Sequence, residues 1–370
     1  MKLYWVFSTF GIGGPQRRMA TLIDALGTDY THAITAMDGQ YAAEALLPET
    51  IKWSRHEVPV RKTSLVSPGN VSAFRKALRE VAPDLLLTSN WGTIEWHLAN
   101  SGPGARPHVH FEDGFGPDET GGNFNRKRDL ARGFVFSGLL SARSKREFVC
   151  PSTVLEQRFT RDWAVPAGKV DLIPNGIELD PFTAITPPFE AGTVIGSVGA
   201  LRREKRFDRL IDAFAAFLQK HEGRLLIVGD GPERPALEAQ ATALGLGNHV
   251  EFTGATTDVA GALSRMTLFA LTSDTEQMPI SLVEAMAAGL PVVATDVGDV
   301  RMILAEENRT FVHPVTDIAR LTASLGAIAS DPGYGRKLGA ANREKAIADY
   351  PLDRMIASYR QLFTRLTGTA

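Results

Sequence analysis

Short apolar runs alternating with segments of helical period, twice over, constrain this chain more than any single motif. In the first half the apolar runs fall at residues 2–8, 32–36, 85–88, 108–111 and 148–151. Segments such as residues 16–26 and 73–81 separate them, with apolar positions at helical spacing. Strand and helix in alternation predict a parallel, doubly wound α/β sheet. The second half repeats the pattern through residues 193–198, 225–228, 250–253, 268–272 and 291–295. At 370 residues the chain exceeds the length at which one core keeps growing, so two such domains in tandem are expected.

Pro174, Asn175, Gly176, Pro181, Pro187 and Pro188 break both periodic patterns and place the hinge at residues 174–190. The expected division is residues 1–173 as an acceptor-side domain and residues 174–351 as a donor-binding domain. A last helix follows Pro351, with Leu352, Met355, Ile356, Tyr359, Leu362 and Phe363 on one stripe. It must bury that stripe, and residues 352–370 are expected to cross back to the first domain.

A net charge of −2 leaves no electrostatic footprint for nucleic acid. Cys150 is the single cysteine, which excludes an intrachain disulfide and favours the cytoplasm. The first eight residues lead straight into a glycine turn and read as a strand rather than a signal peptide. No run approaches the ~18 apolar residues of a membrane span, so any membrane contact is expected to be peripheral, at an inner face.

Glu276 and Glu284 lie eight residues apart and straddle an expected helix start. Residues 268–272 read as a strand, residues 273–278 as a loop, and Pro279 as a first-turn residue. Gly289 and Pro291 end the helix. Backbone N–H groups at Ile280, Ser281 and Leu282 would favour a diphosphate, while the flanking carboxylates accept bonds from neutral hydroxyls. The spacing alone fits equally a solvated Glu276 and an ordinary helix-surface Glu284.

Other candidates also sit at strand ends, where open parallel sheets bind ligands. Gly11, Gly13 and Gly14 let backbone approach a ligand closely, although Pro15 and Gln16 break the dinucleotide fingerprint and a plain tight turn explains them as well. Arg202, Arg203 and Lys205 could neutralise a leaving diphosphate or form a solvated charge run. Gly229, Gly231 and Gly254 supply turns after two further strands. His108 and His110 share a strand face, but no third ligand has metal-site spacing, which favours packed histidines. Arg126, Lys127, Arg128, Arg132, Arg143, Lys145 and Arg146 bracket Phe134, Val135, Phe136, Leu139 and Leu140. This segment, residues 126–146, suits contact with an anionic membrane or an ordinary half-buried helix.

Together these residues resemble glycosyltransferase family 4, which has the two-domain GT-B fold with the domains facing across a cleft. Glu276 and Glu284 match its E-x7-E motif, and residues 199–205 its phosphate loop. Residues 228–231, 252–254 and 173–176 match further segments, and the likeness covers essentially the whole chain. The resemblance implies retaining transfer of a sugar from a nucleotide donor to a glycan or lipid-linked acceptor, without a metal ion or other cofactor. It implies that Lys205 neutralises the diphosphate, Gly14 beside Gly13 faces it, and Ile280 and Ser281 offer it backbone N–H groups. Glu276 would bind the donor sugar and Glu284 the ribose, with Gly254, Met278 and Pro279 on the donor side. Many members carry a histidine near the reacting sugar, and Asp113 occupies that slot. Gln277 replaces a glycine, Gln16 a glutamate, and Ala200 an arginine whose charge Arg202 or Arg203 would supply. The alternatives are a nucleotide-sugar epimerase of the same architecture and a non-catalytic nucleotide-sugar sensor.

Overall fold

The computed structural model describes residues 1–60, 66–114, 126–137 and 145–368. Two compact units share the chain: Met1–Pro174 with Asp353–Ala370, and Asn175–Leu352.

The first unit is built on a seven-stranded sheet in the order β3-β2-β1-β4-β5-β6-β7. Its strands are β1 Lys2–Phe7, β2 Thr31–Ala36, β3 Trp53–Arg55, β4 Leu85–Ser89, β5 His108–Phe111, β6 Arg146–Cys150 and β7 Val170–Leu172. The second unit has six strands in the order β10-β9-β8-β11-β12-β13. These are β8 Val194–Val198, β9 Arg224–Val228, β10 Val250–Gly254, β11 Leu268–Leu271, β12 Val292–Thr295 and β13 Val312–His313. All pairings between named strands are parallel, for example Trp5 opposite Ile34 and Val198 opposite Val228. The central strands are buried on both faces, which is why they read as continuous apolar runs.

Both sheets reverse their strand order once, between β1 and β4 and between β8 and β11. At such a switch point the loops leaving neighbouring strands diverge and open a crevice at the carboxyl ends. The loops after β1 and β8 and those after β4 and β11 are therefore the ones positioned to meet ligands.

The last helix, Leu352–Thr367, buries Met355, Ile356, Tyr359, Leu362, Phe363 and Leu366. Its partners lie in the first unit: the Tyr359 ring is 5.9 Å from Phe111, and Arg360 donates to the Ala25 carbonyl at 2.6 Å. Arg365 bridges Asp171 and Glu147. Where the chain runs between units, Leu352 N donates to Ile177 O at 2.9 Å. The stripe legible in the sequence thus completes the first unit's core.

Candidate active site

In the second unit the loop after β11 and the helix Ile280–Ala287 carry the paired glutamates. Pro279 is the N-cap, with φ −69 and ψ 120, and no side chain caps this end. The first bond back to Pro279 O comes from Leu282 N at 3.2 Å, so the N–H groups of Ile280 and Ser281 point out of the helix start. Leu282, Val283, Ala285, Met286 and Ala287 are buried, whereas Ile280, Ser281 and Glu284 reach solvent on a single stripe. Glu284 lies one turn inside the helix, as the spacing predicts.

Glu276 precedes that helix in a loop fastened on several sides. Its Oε1 accepts from Lys205 Nζ at 2.5 Å and from Ser273 Oγ at 2.8 Å. Asp274 accepts from Arg209 Nη2 at 2.6 Å and Arg206 Nη1 at 3.0 Å, and its N–H donates to Glu204 O at 2.8 Å. The buried Arg209 also holds Thr272 O at 2.6 Å. On the far side, Gly298 at φ +51 leaves room for the Glu276 carbonyl, which would stand 2.2 Å from an added Cβ. Asn175, from the turn-rich hinge, donates to Met278 O at 2.8 Å. Gln277, which stands where the family carries glycine, is buried.

The Lys205 loop follows β8 and packs against the turn after β9. Leu201 N donates to Asp230 O at 2.9 Å, a close approach that Gly231 permits because an added Cβ there would lie 2.4 Å from Leu201 O. Arg202 and Arg203 are exposed, and neither has an ion pair among the described residues, so both cations are available to a ligand. Arg206 has left-handed backbone, φ 52 and ψ 45, a strained choice for a side-chain-bearing residue. Its guanidinium bridges Asp208 and Asp274, and hydrogen bonds to Asp208 hold it firmly protonated. For Asp208, burial pushes the pKa up but the Arg206 bonds outweigh it, leaving the carboxyl below its usual range. Gly254 closes β10 at φ +77, with its carbonyl accepting from Gly229 N at 2.9 Å.

In the first unit, Gly13 is the N-cap of the helix Gly14–Leu26, and Gly14 faces open space. Gln16 turns back to donate to Thr9 O at 3.2 Å. Asp113 follows β5, with its side chain 6% exposed and ion-paired to Arg18. Burial opposes the charge on Arg18, but Asp113 overcomes it and raises the guanidinium pKa. A sugar hydroxyl would have to share the Asp113 carboxylate with Arg18. Asn90, after β4, accepts from Asp113 N at 2.9 Å and has φ 59 with ψ 175, backbone that glycine normally supplies.

The paired histidines lie in the core. His108 and His110 share Thr88 Oγ1 at 2.8 and 2.9 Å, His97 packs between them and Phe136, and His110 Nε2 is 3.5 Å from Glu112. Burial holds all three histidines below their usual pKa. Among the described residues, no group of three or more His, Cys, Asp or Glu side chains could hold a metal ion.

The basic stretch departs from a simple split between solvated cations and buried apolar residues. Arg132 is buried over the Trp91 and Trp163 rings at 5.2 and 5.5 Å, with Glu112 at 3.6 Å. Arg146 is buried too and donates to His97 O at 3.1 Å, while Phe134 is 76% exposed. Indole faces and a buried carboxylate make the interior hospitable to guanidinium groups. Leu139, Leu140 and Arg143 lie outside the described residues.

Arg18, Asn90, Arg206, Arg209 and Asp274 escaped sequence reasoning. A lone non-glycine at a turn, or an Arg and Asp 65 residues apart, carries no local signal.

A parallel sheet with a bare helix start at its switch point, flanked by a Lys–Glu pair, defines a doubly wound α/β protein with a candidate anion site. The sequence model described as glycosyl transferases group 1 matches residues 182–345, and that described as glycosyltransferase family 4 matches residues 12–181. The chain belongs to the family-4 glycosyltransferases of the GT-B fold. It is 25% identical over 174 residues to N-acetyl-alpha-D-glucosaminyl L-malate synthase of Bacillus anthracis, a match covering 47% of this chain and 46% of that protein. The lipopolysaccharide core biosynthesis glycosyltransferase LpsD of Rhizobium meliloti is 29% identical, over 48% of this chain and 51% of its own. The matches thus span about half the length of these relatives. HepE of Anabaena, solved in complex with UDP, superposes with a TM-score of 0.79 at 20% identity, covering 99% of this chain and 100% of that one.

Proposed function

We propose that this chain transfers a sugar from a nucleoside diphosphate sugar to a glycan or lipid-linked acceptor in polysaccharide or lipopolysaccharide assembly, in the cytoplasm. The observation that carries the reading is the helix Ile280–Ala287: its only solvent-reaching residues are Ile280, Ser281 and Glu284, beside the Lys205–Glu276 pair. The UDP bound in the HepE structure and the stated role of LpsD agree with it.

In this reading the diphosphate sits on the N–H groups of Ile280 and Ser281, where the helix dipole favours negative charge. It draws Lys205 away from Glu276, so one exchange neutralises the leaving group and frees a carboxylate for the donor sugar's hydroxyls. Arg202 or Arg203 adds the second positive charge, and Glu284 accepts from the ribose. Three cations on one loop supply the neutralisation, so the reaction proceeds without a metal ion. The first unit recognises acceptor through its own carboxyl-end loops, with Gly13, Gly14 and Asp113. Transfer retains the anomeric configuration.

The test is to incubate the protein with labelled UDP-, GDP- and ADP-sugars, with and without lipopolysaccharide core acceptors. Glycosylated product of unchanged anomeric configuration supports the reading. An isomerised donor without acceptor would make it an epimerase, and tight donor binding with no consumption would make it a sensor.

A further inference from the structure

Arg18 sits on the buried face of the helix Gly14–Leu26, in the company of Met19, Ala20, Leu22, Ile23 and Leu26. Burying a guanidinium is costly unless it is paired, and an apolar side chain would fill such a place at lower cost. Here Arg18 Nη2 donates to Asp113 Oδ1, with the two side chains 3% and 6% exposed. Asp113 follows β5, at the carboxyl end of the sheet where ligands bind. The charge is therefore placed against a candidate site residue, not against the core at large.

A second residue holds the same aspartate from the loop after β4. Asn90 Oδ1 accepts from Asp113 N at 2.9 Å, while Asn90 N donates to Phe111 O at 2.8 Å. Its backbone, φ 59 and ψ 175, lies where glycine is at ease and any side chain is strained. Among the described residues the Asn90 side chain makes one hydrogen bond, to Asp113. That bond is what an asparagine supplies there and a glycine would not.

We propose that Arg18 and Asn90 are positioning residues that fix Asp113 for a sugar hydroxyl. Asn90 holds the Asp113 peptide and Arg18 holds its carboxylate at Oδ1, while no donor among the described residues takes Oδ2. Oδ2 is then the atom that a hydroxyl meets, already oriented before the ligand arrives. Stability alone accounts poorly for the arrangement, since a buried ion pair adds little over apolar packing and strained backbone at Asn90 subtracts from it. The inference rests on the glycosyltransfer reading and names the residues through which Asp113 serves it.

A kinetic cycle on the full chain tests it, with turnover of the labelled nucleotide sugar, UDP affinity and Tm measured on each variant. Asn90→Gly should lower turnover by about tenfold or more while Tm stays within a few degrees, because relief of strain offsets the lost bond. Arg18→Met should lower turnover similarly, and UDP affinity should stay within about twofold in both. In an Asp113→Asn background, Arg18→Met should cost less than about a further twofold, as expected of a residue that acts through Asp113. Arg18→Lys keeps the charge without the planar fork and should fall between Arg18→Met and the wild type, which keeps the test open if Arg18→Met does not fold. Wild-type turnover in Asn90→Gly, or an equal loss from Arg18→Met with and without Asp113, overturns the positioning role alone. No turnover by the wild type with any donor and acceptor overturns the glycosyltransfer reading and this inference with it.

Discussion

Lys205 and Glu276 neutralise each other across 2.5 Å with the lysine side chain 29% exposed, a pair suited to exchange rather than to support. Lys205→Ala and Glu276→Ala should each lower turnover by about a hundredfold or more, the usual loss on removing preorganised charge. Stability should move by no more than about 1 kcal/mol, because a partly solvated pair contributes little. Steady-state kinetics and urea unfolding on the same variants check both statements. Arg209 is the contrasting case. Buried and bonded to Thr272 O and Asp274, it supports the Glu276 loop from behind, so Arg209→Ala should cost about 2–3 kcal/mol and weaken UDP binding. The carboxylates and Lys205 were legible because they sit within a short motif at strand ends. Arg209 and Asp274 were not, because only the fold brings them together.

At the scale of elements, the terminal helix was readable from its apolar period, and the strands from their uninterrupted runs. The strands β3, β7 and β13, of three, three and two residues, are too short for any period to register. Tyr359 on the terminal helix is fully buried, and its hydroxyl has no hydrogen-bond partner among the described residues. Tyr359→Phe removes that unsatisfied group and should stabilise the protein by about 1 kcal/mol in urea titration, whereas Tyr359→Ala should cost about 3–5 kcal/mol through the cavity it leaves.

The buried histidines set a pH dependence for the whole molecule. Burial, reinforced for His97 and His108 by Arg146, depresses their pKa below the ordinary 6.5, and burial depresses His110 despite Glu112. Their neutral forms are favoured on folding, so the contribution is complete above about pH 6.5. As pH falls below that value the unfolded chain takes up protons that the native core refuses, and stability drops by up to about 1.4 kcal/mol per pH unit for each histidine. Tm should be flat from pH 7 to 8 and fall steeply towards pH 5, and His97→Phe should make the fall shallower. An equally steep fall in that variant would locate the acid sensitivity elsewhere. The sequence placed His108 and His110 on one strand face, but it could not show that His97 joins them from a neighbouring helix.

In the proposed function the second unit binds a nucleoside diphosphate at the start of the helix Ile280–Ala287, beside Lys205. Calorimetric titration of UDP, GDP and ADP into the wild type and Lys205→Ala tests it most directly. At least one nucleotide should bind saturably, about tenfold or more weaker in the variant, as expected when a charge-assisted contact is lost. No binding of any of the three to the wild type, or equal affinity in the variant, would contradict it.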